Sequence, residues 1–555
     1  MKPRHAYCAE ALLCVALFAL VSSVSAQQTT ARRHIGAPQD WSDSHIVFSR
    51  DALAKHPDLI YREPRVLHQL MQRWHVPNYG AFQAAENLVS AESTSPLGRD
   101  WQVKPLGGGL NENMFPAKFT FDPGAPPSCT NDYVVVGLTA AGSATKANLV
   151  AFNNLYVNPT GMGEYCSGTA PNVMFAYNIT TATGGKIVTD PIISEDGTKI
   201  GFVESGGPNG AIFHVLTWTA GQGNIGAPAT PTSMVSIPFS GVNSTTSSPW
   251  IDYGSDTVYL GSNDGSIYRF TGVFKGTPAL SGSPWPVKVS KNLHLSPPVL
   301  DSVLHLLLVG APNGNLYAID PASASIVGTI AVGAATYTNP GIIATPIVDI
   351  TNGTTFVVSS NNGTSAVLEQ VNTSAFQAMA TATIGQGSAG ATAVTIYQPA
   401  LDNNYYNNPS TGLIHVCGTG LTDTTPWHYA FGFTGPMMNE TPAAGYPVQL
   451  STTAGDACSG WTEFFNPNIG ASPGTDFFFF GLTNDCTFIG GTATAGCVVE
   501  ISNNNGTINT ITAPIAGGPT GIVVDNYSND LEASSIYFVA NNANIAYKFT
   551  QNGLQ

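Results

Sequence analysis

A short two-part pattern recurs along this chain of 555 residues and constrains its fold more than any other feature. The first part places a proline before two mostly apolar residues and usually ends in aspartate, as in "SPWID" (248–252) and "PPVLD" (297–301). The second part sets asparagine or aspartate beside glycine between two apolar runs, as in "GSNDGSIYRF" (261–270) and "GAPNGNLYAI" (310–319). The glycine of the second part follows the proline of the first part by 16 or 17 residues. Asn-Gly and Asp-Gly tolerate the positive φ that tight hairpins require. Each repeat therefore predicts one strand followed by a hairpin.

The first part of the pattern occurs eight times if degenerate copies are included. Units of 48 to 75 residues that contain about four short strands are typical of propeller blades. The predicted fold is all-β, a β-propeller of four-stranded blades, with eight blades favoured over seven. Two separate β-sandwiches are the alternative, because hairpin signals also fit them. The eight markers are Pro116, Pro191, Pro249, Pro298, Pro346, Pro399, Pro467 and Gly521.

The segment before the first marker predicts how the ring closes. "WQVKPLGGG" (101–109) resembles "ITAPIAGGP" (511–519), and the last unit is short of an outer strand. We therefore expect a propeller over residues 99–555, closed by a strand at 101–106, which would hide the sheet edges. Residues 27–98 are predicted to be an extension with one helix, because apolar residues follow helical spacing in "EPRVLHQLMQRWHV" (63–76).

The first 26 residues are typical of a cleavable signal peptide. Lys2 and Arg4 precede an apolar stretch at 11–21, and "VSA" (24–26) is a small-residue cleavage site. That stretch is too short to span a bilayer, and no later stretch approaches transmembrane length. The sequence predicts a secreted or periplasmic protein without a membrane span.

Six cysteines remain after the predicted signal peptide, and an even number in an exported chain favours disulfides. Zinc binding is the alternative, but no C-x-x-C spacing occurs. Nearness in sequence favours the pairs Cys129–Cys166, Cys417–Cys458 and Cys486–Cys497.

Charged residues make up only 10% of the chain, and they are unevenly distributed. From Leu106 onward, 9 Lys and Arg residues stand against 26 Asp and Glu residues. An acidic body argues against nucleic acid as a partner, because phosphates require a basic footprint.

Hairpins such as "GNLYAID" (314–320) resemble those of the quinoprotein-like (PQQ-like repeat) β-propeller superfamily. "ISEDGTKIGFV" (193–203) is similar to units of TolB-type propellers, and the order of motifs from Trp101 to Phe549 resembles a group of exported bacterial propellers with no assigned activity. The quinone-dependent members use an adjacent-cysteine disulfide, which the mature part of this chain does not have. The resemblance therefore implies a fold, and we predict no cofactor.

Three glycine motifs lack the structural context that their chemistry needs. "GQGNIG" (221–226) and "GQGSAG" (385–390) are not followed by the helix that receives a pyrophosphate. "GASPG" (470–474) is followed by proline and a strand pattern instead of the helix of a nucleophile elbow. The histidines are scattered, and we predict no metal site.

The candidate ligand-binding residues are Trp461 and Glu463, in "CSGWTEFFNPN" (458–468), with Trp250 and Asp252 at the matching position of another blade. An aromatic ring beside a carboxylate could hold a sugar or a cation in the central funnel. The alternative is that these side chains are structural. We expect a non-enzymatic, monomeric propeller that binds a protein or a carbohydrate through one face or the funnel. The alternative function is a carbohydrate-active or quinone-type enzyme.

Overall fold

The computed structural model describes residues 36–74 and 97–550, except for several short gaps. The predicted signal peptide lies outside the described residues. The gaps are 105, 112, 159–164, 182, 208–209, 243–244, 292–293, 334–339, 391–392, 468, 471, 493, 505, 527–532 and 542.

The described residues form eight antiparallel sheets that are the blades of a β-propeller, which confirms the predicted fold and the favoured blade number. Three strands precede the first blade: β1 (Ala37–Gln39), β2 (Ile46–Val47) and β3 (Gly98–Val103). Blade 1 contains β4 (Ala117–Thr120), β5 (Tyr133–Gly137), β6 (Leu149–Asn153) and β7 (Asn172–Tyr177), and blade 2 contains β8 (Lys186–Ile187), β9 (Ile192–Ile193), β10 (Lys199–Ser205), β11 (Ala211–Thr217) and β12 (Met234–Ser240). Blade 3 contains β13 (Trp250–Asp252), β14 (Thr257–Gly261), β15 (Ser266–Thr271), β16 (Ala279–Leu280) and β17 (Val287–Lys288), and blade 4 contains β18 (Val299–Asp301), β19 (Leu306–Gly310), β20 (Asn315–Asp320) and β21 (Ser325–Ala331).

In the second half of the ring, the strands of each blade follow one another along the chain from the channel outwards. Blade 5 contains β22 (Ile347–Asp349), β23 (Thr354–Ser359), β24 (Val367–Asn372) and β25 (Gln377–Thr383), and blade 6 contains β26 (Ala400–Leu401), β27 (Leu413–Thr419), β28 (Pro426–Thr434), β29 (Met437–Met438) and β30 (Val448–Gln449). Blade 7 contains β31 (Thr462–Asn466), β32 (Thr475–Leu482), β33 (Cys497–Asn504) and β34 (Thr507–Pro514), and blade 8 contains β35 (Val523–Asp525), β36 (Ser535–Ala540) and β37 (Ile545–Thr550). Apolar faces of adjacent blades pack together, as in the cluster that joins blades 5 and 6.

The proline–aspartate markers form the inner strands because their last residue shapes the following turn. The side chain of Asp301 accepts hydrogen bonds from the backbone N–H groups of Val303 and Leu304. In the same way, the side chain of Asp349 accepts hydrogen bonds from the backbone N–H groups of Thr351 and Asn352. Such aspartate turns are a local alternative to continued strand pairing. Blade 7 differs from the prediction: its inner strand is β31, which ends at Asn466, and the marker at Pro467 follows that strand instead of forming it.

The Asn-Gly hairpins use glycine, not asparagine, for the unusual backbone conformation. The loops after β14 and β19 each have four residues, and only their last residues, Gly265 and Gly314, have positive φ, at 83° and 80°. The predicted tight hairpins are therefore right in position, and their loops are longer than two residues. In the corresponding hairpin between β36 and β37, the last loop residue is Asn544, with a φ of 56°; Asn542 lies outside the described residues.

Strand β3 closes the ring by pairing antiparallel with β37, the outermost strand that the C-terminal blade itself supplies. Trp101 lies opposite Lys548 and is 4% exposed, with its indole N–H bonded to the carbonyl oxygen of Leu155 in blade 1 at 2.9 Å. The buried Lys548 amino group pairs with Asp100 of β3. One strand from before the first blade thus joins the last blade to the first.

The N-terminal segment has three helices within its described part, where the sequence analysis predicts one. They are α1 (Arg50–Lys55), α2 (Leu59–Arg62) and α3 (Pro64–Trp74). Ser49 begins α1 by accepting a hydrogen bond from the N–H of Ala52, a standard helix N-cap. Among the described helices, none is long and apolar enough to cross a membrane.

The six cysteines form the three predicted pairs. Cys129–Cys166 lies in blade 1, Cys417–Cys458 links β27 to the connection that precedes blade 7, and Cys486–Cys497 braces the loop between β32 and β33. A disulfide stabilises mainly by limiting the unfolded chain, more so for longer loops.

Removal of the disulfides is expected to destabilise in the order of their loop lengths. The pairs Cys417–Cys458 and Cys486–Cys497 are separated by 41 and 11 residues. Double serine variants should lose about 4 and about 3 kcal/mol of unfolding free energy respectively. Urea unfolding of the two variants measures the difference. An equal loss for both would contradict an effect that depends on loop length.

Candidate functional site

The central channel is occupied by the chain's own N-terminal segment, residues 36–74, here called the channel plug. Strand β1 pairs antiparallel with β4 of blade 1, and β2 pairs parallel with β22 of blade 5. Blades 1 and 5 lie opposite each other in a ring of eight. The described part of the N-terminal extension therefore crosses the channel from wall to wall.

The tip of the plug is a short helical turn at Trp41–Ser44. Asp40 accepts a hydrogen bond from the N–H of Ser42, and Asp43 accepts one from the N–H of Asp40; this capping box fixes the N-terminal end of the turn. Asp40 is buried and Asp43 is half-buried, and the loss of hydration is the main reason why the pKa values of both carboxyl groups are raised. The tip is thus a polar loop held inside the protein.

Helix α3 is hydrogen-bonded to strand β2 and to the residue that follows it. The side chain of Gln69 accepts a hydrogen bond from the N–H of Phe48 at 3.0 Å and donates one to the carbonyl oxygen of Ile46. Val66 and Leu70, on the same side of the helix, are buried in the apolar cluster that also contains Trp41 and Trp250. The helix and the strand pair therefore form one unit within the channel.

Trp250 contacts this unit from the wall of blade 3. The guanidinium carbon of Arg65 lies 4.2 Å from the centroid of its ring, and Trp41 meets that ring edge-on at 5.8 Å. Arg65 also pairs with Glu63 and donates to the carbonyl oxygen of Ile251 at 3.3 Å. Trp250 is 1% exposed, so its ring is a wall for the plug and presents no open face.

Asp252 does not join Trp250 in a common site. Its carboxylate accepts hydrogen bonds from the N–H of Gly254 at 3.0 Å and from the hydroxyl of Ser255 at 2.5 Å. These bonds shape the turn between β13 and β14. The structure gives Asp252 the same turn-forming role as the other marker aspartates.

Glu463 forms a two-pronged ion pair with Arg73 of helix α3. Both oxygens of the carboxylate accept from the guanidinium, one at 3.1 Å, and the two side chains are 6% and 1% exposed. Arg73 also donates to the amide oxygen of Asn403 at 3.1 Å and lies 3.4 Å from the ring centroid of Tyr406. The plug is thereby anchored to blades 6 and 7.

Two more carboxyl groups gather around this ion pair. Burial and the negative charge of Glu463 raise the pKa of Asp402 to about 7, and the same two causes raise the pKa of Asp476 well above its usual value. Arg73 lowers both pKa values without offsetting the burial. Carboxyl groups from blades 6 and 7 thus meet here, and the one whose bonds to the Arg73 guanidinium are described is Glu463.

Trp461 lies inside the apolar core of blade 7 and is 1% exposed. Its ring stacks on Phe480 at 4.3 Å and contacts His428 at 4.6 Å. His428 in turn is 2.9 Å from His415, and burial lowers the pKa of His415 to about 3 and that of His428 well below its usual value. Both histidines are therefore neutral at physiological pH, and Trp461 is a core residue of this uncharged cluster.

The space that remains beside the plug is small. A cavity of about 50 Å³ is bordered by Gln39, Asp40, His68, Arg73 and Glu463, together with wall residues of blades 6 and 8. Pockets for small-molecule ligands are usually about 300–1,000 Å³. Within the described ranges, no group of three or more His, Cys, Asp or Glu side chains is arranged to hold a metal ion. The cavity has room for water molecules and not for a sugar ring.

The sequence singled out Glu463 and Trp250 on the channel wall, but not their partners on the plug, Arg73 and Arg65. Arg65 and Arg73 lie eight positions apart on one helix in a chain that has few charges, and this spacing was the available signal. Asp402 and Asp476 gave no signal that distinguishes them from the other strand-end carboxylates.

Asp190, which lies near the tip of the plug, makes stability depend on pH. Its carboxyl group accepts hydrogen bonds from the N–H of Phe115 at 2.6 Å and the hydroxyl of Ser248 at 2.8 Å. Burial raises its pKa to about 7, and the nearby charge of Asp40 also raises it.

Because the folded-state pKa of Asp190 is above the unfolded value, its contribution to stability is present at low pH and is lost as pH rises through 7. Relative to Asp190→Asn, wild-type protein should lose about 2 to 3 kcal/mol between pH 5 and pH 8. Thermal unfolding of both proteins across this range measures the difference. A difference that does not change with pH would contradict a raised pKa.

No family model and no curated protein matches the chain. Solved structures match over most of its length. BamB from Moraxella catarrhalis is 13% identical, with a TM-score of 0.42 over 82% of this chain and 98% of its own. Sqt1 from Saccharomyces cerevisiae is 11% identical, with a TM-score of 0.47 over 75% and 92%, and Sqt1 from Chaetomium thermophilum is 12% identical, with a TM-score of 0.48 over 82% and 100%.

All three TM-scores are below 0.5, so the propeller fold rests on the eight sheets of the chain itself. At such low identities the likeness gives no function and no binding residues. Membership of the quinoprotein-like superfamily, which the sequence resemblance suggests, therefore remains a prediction.

Proposed function

We propose that the protein is an exported, non-enzymatic propeller that binds a protein partner through surface loops. The observation that carries the proposal is the channel plug. Propellers can bind small ligands in the central channel, but here that space is filled by the strand pair and by helix α3. The ring is thereby a solid support for the loops at its two faces.

The residues predicted to bind a ligand support this proposal through their present contacts. Trp250 packs against Arg65, Glu463 pairs with Arg73, and Trp461 is in a blade core. A sugar would need an exposed aromatic face, which neither tryptophan offers. Hence a protein partner is favoured over a carbohydrate one.

Export is supported by the disulfides. Three disulfide bonds persist only in an oxidising compartment. The predicted signal peptide agrees with such a compartment. Oxidised and reduced protein from the exporting host can be distinguished by thiol labelling, and free thiols at all six positions would contradict export.

The experiment that tests the absence of channel catalysis is a panel of aryl glycosides and of alcohols with a quinone acceptor. Wild-type protein should turn over none of them. Glu463→Gln removes the buried charge, and Glu440→Gln is the matched control on an exposed residue. Turnover by wild-type protein that Glu463→Gln abolishes and Glu440→Gln retains would overturn the proposal and support the enzyme alternative.

A further inference from the structure

Three loops of blades 6 and 7 lie on the face opposite the plug helices. They are residues 420–425 between β27 and β28, residues 451–458 between β30 and β31, and residues 483–492 and 494–496 between β32 and β33, together called the loop platform. In an antiparallel blade, the loop between the second and third strands lies at the same end as the connection to the next blade. The plug helices contact the other end, where Ser49 bonds to Thr351 in a turn that follows an inner strand.

The three loops of the platform are joined to one another by hydrogen bonds. Gly455 in the middle loop donates its N–H to the carbonyl oxygen of Thr424 at 3.1 Å. On the other side, buried Asp456 accepts from the hydroxyl of Thr483 at 2.8 Å and from the N–H groups of Asn484 and Asp485 at 2.9 and 3.2 Å. One loop therefore links its two neighbours into a single surface.

Two of the three disulfides fix this surface to the blades. Cys417–Cys458 ties the end of the middle loop to strand β27, and Cys486–Cys497 closes the base of the third loop. Ordering flexible loops on binding costs affinity, so loops that are ordered beforehand bind more tightly. The bracing gives the platform the character of a preorganised binding surface.

Large apolar side chains project from both outer loops of the platform. Leu421 is 70% exposed and Phe488 is 51% exposed. Val327 at 57% lies on the outer edge strand of blade 4, and Tyr61 at 64% lies on helix α2 on the opposite face of the ring. Contact with a partner would remove the two side chains from water, which is favourable in proportion to the area buried.

The charge of the platform is negative only. Asp423 and Asp485 lie in its outer loops, and hydrogen bonds from Thr487 lower the pKa of Asp485, which keeps it ionised. The sequence has no Lys or Arg between Lys291 and Lys548, whereas it has fifteen Asp and Glu residues there. Blades 5 to 7 therefore supply no positive side chain that could neutralise the two carboxylates. A second copy of the acidic chain would be repelled, and a basic partner would be attracted.

We propose that the loop platform docks a basic peptide segment of a partner protein, with apolar residues of the segment against Leu421 and Phe488 and its Lys or Arg side chains near Asp423 and Asp485. The proposal rests on the proposed binding function and adds the surface and the chemistry of the partner. Charge attraction would set the rate of encounter, and the apolar contacts would hold the complex.

The test is a selection from a random peptide display library against the full, oxidised protein. Selected peptides should combine basic residues with at least one aromatic or aliphatic side chain. The double variant Leu421→Ser/Phe488→Ser should weaken the selected peptides by about tenfold or more, as expected for central apolar contacts. Asp423→Asn/Asp485→Asn should lower the affinity less and should reduce its dependence on salt. Val327→Ser is the matched control and should leave binding unchanged.

The outcomes distinguish a failure of the loop platform from a failure of the proposed binding function. Selected peptides that bind equally well to the platform variants would overturn the platform while leaving the binding function intact, as would peptides without basic residues. A selection that returns no specific binder would count against both proposals. Thermal unfolding of each variant checks that a loss of binding does not reflect a loss of folding.

Discussion

Replacing Arg73 with methionine is expected to lower the free energy of unfolding by about 3 to 5 kcal/mol. The substitution removes the only cationic partner that the described contacts give to Glu463, and it leaves that carboxylate 6% exposed beside the carboxyl groups of Asp402 and Asp476. A buried charge without its partner carries the full cost of its lost hydration. The midpoints of urea and thermal unfolding measure the loss.

Two further variants make the expectation about Arg73 specific. Arg62→Met removes an exposed pair with Asp58, whose side chains are 44% and 60% exposed, and should change stability by no more than about 0.5 kcal/mol. The double variant Arg73→Met/Glu463→Gln should recover part of the loss because no buried charge remains unpaired. A similar effect of Arg62→Met and Arg73→Met would show that the plug is not anchored as described.

Replacing Trp101 with alanine is expected to cost about 3 to 5 kcal/mol and to open the ring at blade 8. The indole of Trp101 lies 6.1 Å from Tyr537 in blade 8 and 6.2 Å from Phe152 in blade 1, so its loss leaves a cavity where the ring closes. Limited proteolysis should then cut β36 and β37 first. Chymotrypsin suits this measurement because trypsin has no site between Lys291 and Lys548.

A buried tryptophan elsewhere in the ring is the matched control for Trp101. Trp285 is 4% exposed in blade 3, where it packs against Tyr259 at 5.7 Å. Trp285→Ala should cost a similar amount of stability without directing cleavage to blade 8. If both variants gave the same fragments, closure by β3 would not be the weak point of the ring.

The propeller could be predicted because each blade carries its own local signals. The aspartates at the ends of inner strands and the glycines in hairpin loops act within a few residues of their place in the chain, and so they can be recognised without knowledge of the fold. The marker at Pro467 misled because Asn466 already ends the inner strand of that blade. A marker that lies a few residues away from its inner strand still counts one blade, so the predicted number of blades was not affected.

The channel plug could not be predicted because its partners are distant in sequence. Strands β1 and β2 have three and two residues, which is too short for a recognisable pattern, and each exists only through pairing with an inner strand. Glu463 drew attention in the sequence as a carboxylate in an aromatic stretch of a chain that has few charges. Its partner Arg73 is 390 residues away, so an internal ion pair could not be distinguished from a ligand site.

The positions of the plug and of β3 impose an order on folding. Residues 36–74 are synthesised before every blade, yet the groups that hold them include Glu463 of blade 7 and the backbone of Val524 of blade 8. Contacts between such distant parts of a chain form slowly because a long loop must close before they form. We expect helix α3 and strand β3 to reach their final contacts only after the last two blades have formed, so that the ring closes late.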